Sequence, residues 1–191
     1  MKNGPYHGLE ACQNREARGA NHRLGQNGLG RSDLAMDIYL DIETDWDRNI
    51  TVVGFRCQAT GLVQLVGSDV TRARLLRELP KTGRLITYNG HCFDLSVIRQ
   101  MLGINLRDQY ESVDLRWVCQ RHGITGGQKG IELRLGIRRE TEGVDGIEAI
   151  HLWNLYQRGD VSALNTLLRY NAEDIDGMTA IHRHLISEKI L

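Results

Sequence analysis

"MDIYLDIETDWD", residues 36–47, decides how the rest of the chain reads. Its apolar run, "IYLDI", is a short buried strand that ends in acids at alternate positions, Asp41, Glu43, Asp45 and Asp47. Asp41 and Glu43 are two apart on or just past the strand, so their side chains share one side and form a ledge of carboxylates. Uncompensated carboxylates repel one another, so either water screens them or a positive charge sits among them. A calcium loop would need glycine at its sixth position and glutamate at its twelfth, where this chain has Trp46 and Val52, and it would follow a helix rather than a strand. Asp45 and Asp47 read instead as solvated turn residues ahead of a second strand.

With 191 residues, 41% of them hydrophobic, the chain suits one α/β domain with its own core. Lys and Arg total 24, as do Asp and Glu, so no net field draws in nucleic acid or an acidic membrane, and any polyanion has to be bound locally. Cys12, Cys57, Cys92 and Cys119 are far apart with no Cys-x-x-Cys pair, which reads as buried free thiols in a reducing cytoplasm. No apolar run reaches the roughly 18 residues that a membrane span needs.

Residues 1–35 are rich in Gly, Asn and Arg without a sustained period of 2 or 3.6, and read as a flexible or loosely docked extension. Its arginines either touch a phosphate backbone or have no role, and Met36 is a second possible translation start. Residues 36–191 form the domain. After the first strand, "NITVVGFRC" and "GLVQLVG" complete an antiparallel three-strand meander. "DVTRARLLREL" turns helical and stops at Pro80; "RLITYN" is a strand, "FDLSVIRQMLG" a helix closed by Gly103, and "YESVDL" a strand running into the helix "LRWVCQRHG". From Lys129 onward the chain reads as helices, the last from Val161 to about Lys189. The expected architecture is a mixed, five-stranded central sheet, three strands antiparallel plus two parallel, flanked by helices.

Two further motifs carry chemistry. In "LITYNGHCFDLSVI" a strand ends at Tyr88, "NGHC" turns, and Asp94 opens the next helix; alone, this acid reads as a partner of the helix dipole. In "LLRYNAEDIDGM" Tyr170 and Asp174 are four apart and share a helical face. The apolar stripe Leu164, Leu167, Leu168, Ile175, Met178 and Leu185 lies on a neighbouring face, so the pair is expected to flank the core.

Taken in order, Asp-x-Glu after the first strand, Asn-x-x-x-Phe-Asp at a helix start and Tyr-x-x-x-Asp in a late helix resemble the exonuclease motifs of the DEDD superfamily, in its tyrosine-bearing (DEDDy) branch with a ribonuclease H-like fold. "TYNGHCFDLSVI", "GGQKGIELRLGIRR", "IHLWNLYQRGD" and "YNAEDIDGM" look most like the YprB-type ribonuclease H-like domains. The resemblance covers Met36 to Leu191. It implies a metal-dependent 3′ to 5′ exonuclease on single-stranded DNA or RNA 3′ ends, releasing nucleoside monophosphates. Alternatives are a weak or inactive nucleic-acid-binding module of a repair complex, and a structure-specific endonuclease.

The implied cofactors are two divalent cations about 4 Å apart, magnesium or manganese, because hard oxygen ligands disfavour zinc. In this resemblance Asp41 bridges the ions, Glu43 and Asp174 complete the site of the ion that activates water, Asp94 holds the second ion directly or through water, and Tyr170 orients the attacking water. With an ordinary pKa near 10, the tyrosine positions rather than deprotonates. Substrate contacts are expected from Asn89 (terminal sugar or phosphate, or a plain turn residue), Trp46 (stacked on a base, or covering the core edge), His91 (phosphate, or turn) and Lys129 (phosphate backbone, or a solvated face). Arg138 and Arg139 are either backbone contacts or a solvated face. Trp117 and Trp153 are expected in the core.

Overall fold

The computed structural model describes residues 36–191; the expectations for residues 1–35, Cys12 among them, lie outside the described residues. Five strands form one sheet in the order β3-β2-β1-β4-β5: β1 (Asp37–Thr44), β2 (Ile50–Cys57), β3 (Gly61–Val66), β4 (Arg84–Thr87) and β5 (Glu111–Asp114). The β1–β2 and β2–β3 pairs are antiparallel, and β1–β4 and β4–β5 are parallel. This is the expected ribonuclease H-like arrangement, with the meander on one side and the parallel additions on the other.

The pleat sorts β1 between two cores. Ile38, Leu40 and Ile42 point into an apolar cluster with Phe55, with Leu75 and Leu79 of the α1 segment (helix Arg72–Glu78) and with Leu95 and Ile98 of α2 (Asp94–Leu102). The opposite face of the sheet is covered by α3 (Leu115–Arg121), α4 (Gly127–Arg134), α5 (Gly146–Gln157) and the long α6 (Val161–Ser187). Along α6, Leu167, Ile175, Met178, Ile181 and Leu185 are fully buried.

Local chemistry fixes the helix ends. Thr71 caps α1 by accepting the Arg74 N–H at 3.2 Å, and Asp145 and Asp160 cap α5 and α6 in the same way. Pro80 follows α1 within two residues, and α2 stops at Gly103, whose φ of 65° is left-handed. Cys57 and Cys119 are buried free thiols as expected. Cys92 sits half-buried in the turn before α2 rather than in the core. Among the described residues, no helix is long and apolar enough to cross a membrane.

Candidate metal centre

The site lies where two parallel strands part. β4 pairs with β1 only from Asp37 to Tyr39 and ends at Thr87, so the outer edge of β1 beyond Tyr39 has no strand partner on that side. The chain turns through residues 88–93 and begins α2 at Asp94, whose Oδ1 accepts the freed Ile42 N–H at 3.1 Å. The same turn is held from below by Asp114, buried at the end of β5, which accepts N–H groups from Asn89 (2.8 Å), His91 (3.0 Å) and Arg116 (3.0 Å).

Asp41 and Glu43 occupy the face of β1 opposite its apolar residues and meet α6. One oxygen from each of Asp41, Glu43 and Asp174 lies within 4.8 Å of the other two. Asp94 is beside this trio rather than in it, with one oxygen committed to Ile42; its charge nevertheless raises the pKa values of Asp41 and Glu43. Burial is the main reason that both stand well above the usual carboxylate range, followed by repulsion from Asp174. Burial likewise pushes Asp94 up to about 7. Asp174 is raised by burial too, against the opposing pull of Arg139.

These acids suit a hard divalent cation. All the converging donors are carboxylate oxygens, and Glu43 Oε1 is buried with no hydrogen-bond partner among the described residues. An acceptor left so is expensive unless something positive meets it. A cation held between β1 and α6 would offset the repulsion noted in "DIETD".

Tyr170 is 6% exposed and belongs to the apolar cluster of Val52, Leu152 and Leu167. The expectation that it only flanks the core is corrected, because α6 is covered by α5 as well as by the sheet. Burial, then the charges of Asp174, Glu43 and Asp41, drive its hydroxyl far above the ordinary tyrosine pKa, so it remains protonated. Lys129 Nζ stands 4.5 Å from the ring centroid and donates to the Val144 carbonyl.

The other expected contacts divide. Trp46 is 51% exposed, with its ring 5.9 Å from that of His151, so it does not cover the core. Asn89 adopts φ 67° and accepts from Arg116 Nη1 at 2.9 Å, while His91 Nε2 pairs with Ser112 Oγ at 2.9 Å; both are tied into the turn. Asp45 is the turn residue expected, accepting the N–H groups of Asp47 and Asn49. Trp117 and Trp153 are half-buried, the latter packed on the α5–α6 core. Arg138 is exposed, but Arg139 is neither solvated nor exposed: its side chain, 9% accessible, is locked between Glu132 and Asp174.

Asn171 escaped the sequence reading. Its Nδ2 donates to Asp41 Oδ2 at 2.8 Å, and its own Oδ1 accepts from Gln64 Nε2 at 2.9 Å, so β3 orients the acid of β1 through α6. The available signal was Gly54 inside a strand, which marks close approach of another group. Gly54 pairs with Asp41, and a Cβ there would lie 1.9 Å from Asn171 Oδ1 and 2.9 Å from Ile175 Cδ1. Gly54→Ala is therefore expected to lower stability by about 1–3 kcal/mol, the usual range for overpacking a core. Urea denaturation tests this, and an unchanged midpoint would contradict the packing described.

Comparison with known proteins agrees with this fold. The structure of the family B DNA polymerase from the hyperthermophilic archaeon Pyrobaculum calidifontis superposes with a TM-score of 0.64 at 15% identity. The alignment covers 86% of this chain and 26% of the polymerase chain, so the likeness is one of fold and concerns about a quarter of that protein. No curated protein matches the sequence. Residues 38–186 match the family model of the RNase_H superfamily, a span that contains every acid of the site and all of the sheet except the first residue of β1. The chain belongs to the RNase_H superfamily.

Proposed function

We propose that this domain is a metal-dependent 3′ to 5′ exonuclease of the tyrosine-bearing DEDD type, YprB-like in its motifs, hydrolysing phosphodiester bonds at single-stranded DNA or RNA ends. The observation that carries the reading is the trio of Asp41, Glu43 and Asp174 oxygens within 4.8 Å of one another, with Tyr170 on the same helix one turn from Asp174.

Asp41, Glu43 and Asp174 would hold magnesium or manganese, with Asp94 completing a second site beside them. Bound there, two such ions supply charge stabilisation to the attacking and leaving oxygens of an in-line displacement. The protein's own groups do the rest. Asn171 keeps Asp41 oriented, and the Ile42 N–H does so for Asp94. Tyr170, protonated and buried, offers a fixed hydroxyl to position water and takes no proton from it. Lys129, the cation above the Tyr170 ring, faces the place where phosphate charge collects. Trp46, exposed just past the ledge, gives the terminal base a surface to stack on. Asn89 and His91 shape the turn that delivers Asp94.

The test is digestion of end-labelled single- and double-stranded DNA and RNA, with and without manganese, beside 3′-blocked and circular single strands. Stepwise mononucleotide release from free 3′ ends, absent with Asp41→Asn, is the expected result. Cleavage of the circle would make the enzyme an endonuclease. Binding without manganese-dependent release by the native chain would make the domain a nucleic-acid-binding module.

A further inference from the structure

Arg139 makes ionic contacts with two buried acids, Glu132 and Asp174. Its Nε donates to Glu132 Oε2 at 2.6 Å and its Nη2 to Glu132 Oε1 at 2.6 Å. The same Nη2 lies 2.7 Å from Asp174 Oδ1. Glu132 is 1% exposed, accepts from Gln128 Nε2 at 2.9 Å, and rests against Gly177, where a Cβ would meet its Oε1 at 1.7 Å. That glycine in the middle of α6 leaves room for the anchor. Gln128 also donates to the Asp174 carbonyl at 2.6 Å, so α4 grips α6 at the level of the acid. Arg139 Nη1 is buried with no partner among the described residues, which marks a guanidinium held by its fork and not placed to satisfy all its donors.

We propose that Arg139 is a positioning residue that acts as a fixed counter-cation to Asp174 and sets how tightly the centre takes up divalent metal. The proposal rests on reading the carboxylate trio as a metal centre. A guanidinium cannot be neutralised at physiological pH, and Glu132 fixes it in a bidentate grip, so its charge cannot withdraw when a metal enters. Asp174 is one of the three acids whose oxygens converge, and an ion reaching it shares it with a cation already 2.7 Å away. Like charges so close in a buried site repel strongly. Arg139 therefore does two things at once. It keeps Asp174 in place when metal is absent, and it holds metal affinity below what the carboxylates alone would give.

Arg139→Gln alone would strand the Glu132 charge in the interior, at a heavy cost in stability. The test is therefore the double variant Glu132→Gln/Arg139→Gln, which removes both charges of the buried pair. Manganese is titrated by calorimetry, without nucleic acid, into the native chain, the double variant and Arg139→Lys. The expected result is affinity for manganese about tenfold or more tighter in the double variant, and a smaller tightening in Arg139→Lys, which keeps the charge but not the fork that fixes it. Unchanged or weaker binding by the double variant, or equal tightening by Arg139→Lys, overturns the proposal. Failure of the native chain to bind manganese overturns instead the metal-centre reading beneath it.

Discussion

Asp174→Asn is expected to leave almost no hydrolysis even at saturating manganese, whereas Tyr170→Phe slows turnover and leaves metal binding intact. The two residues share one face of α6 but touch different chemistry. Asp174 contributes a charge to the converging trio, and the amide that replaces it is a poor ligand for a hard cation. Tyr170→Phe keeps a ring that is 94% buried against Val52 and Leu167 and deletes one hydroxyl. Loss of an orienting hydrogen bond in a water-excluded site lowers kcat by about 10²–10³, on the scale of an oxyanion donor. Near-normal KM and metal affinity would then mark an interaction made mainly in the transition state. Single-turnover cleavage of a labelled oligonucleotide, paired with manganese calorimetry, distinguishes the two. Wild-type rates from Tyr170→Phe would reduce the tyrosine to a packing residue.

The second large effect concerns stability and pH. Asp41, Glu43 and Asp94 all have folded-state pKa values raised above their unfolded values, Asp94 to about 7. A group shifted in that direction stabilises the fold when protonated, and its contribution disappears as pH rises through the folded value. For Asp94 the metal-free protein should accordingly lose a few kcal/mol between about pH 4 and pH 7, at about 1.4 kcal/mol per pKa unit, with Asp41 and Glu43 acting in the same direction. Buried His182 works the other way, since its lowered pKa removes stability as pH falls. Comparing melting with manganese and with chelator at each pH cancels the His182 contribution, because only the carboxylates gain a cation. The metal-induced increment should grow from pH 5 to pH 8 and reach roughly 2.7 kcal/mol at a hundred times the dissociation constant. In Asp41→Asn it should be largely lost. An increment independent of pH would mean that the acids do not bind the ion.

Much of this was legible in the chain because the relevant patterns are local. The pleat of β1 and the one-turn spacing of Tyr170 and Asp174 assign faces without any tertiary knowledge, and glycine, proline and capping acids mark the element ends. What remained hidden depends on partners distant in sequence. Arg139 next to Arg138 reads as an exposed basic pair until the fold brings Glu132 and Asp174 around it. Asn171 lies one residue from Tyr170, yet its partner is Asp41, on another element. Trp46 reads as a core-edge residue by type, and only the path of the turn after β1 leaves it in solvent. Composition likewise gave no way to tell Cys92 from the buried thiols.

The hydrogen bond from Asn171 to Asp41 joins residues 130 positions apart. Closing so long a loop is among the slow steps of folding, so the acids of β1 remain unassembled until α6 docks. Every opening that lifts α6 from the sheet must also dismantle the cluster. Ion escape and amide exchange along the middle of that helix should then share one rate-limiting motion, and a bound ion would slow both together. A metal-loaded centre would thereby tie its occupancy to the docking of α6 on the sheet, since no form with α6 detached retains the trio of acids.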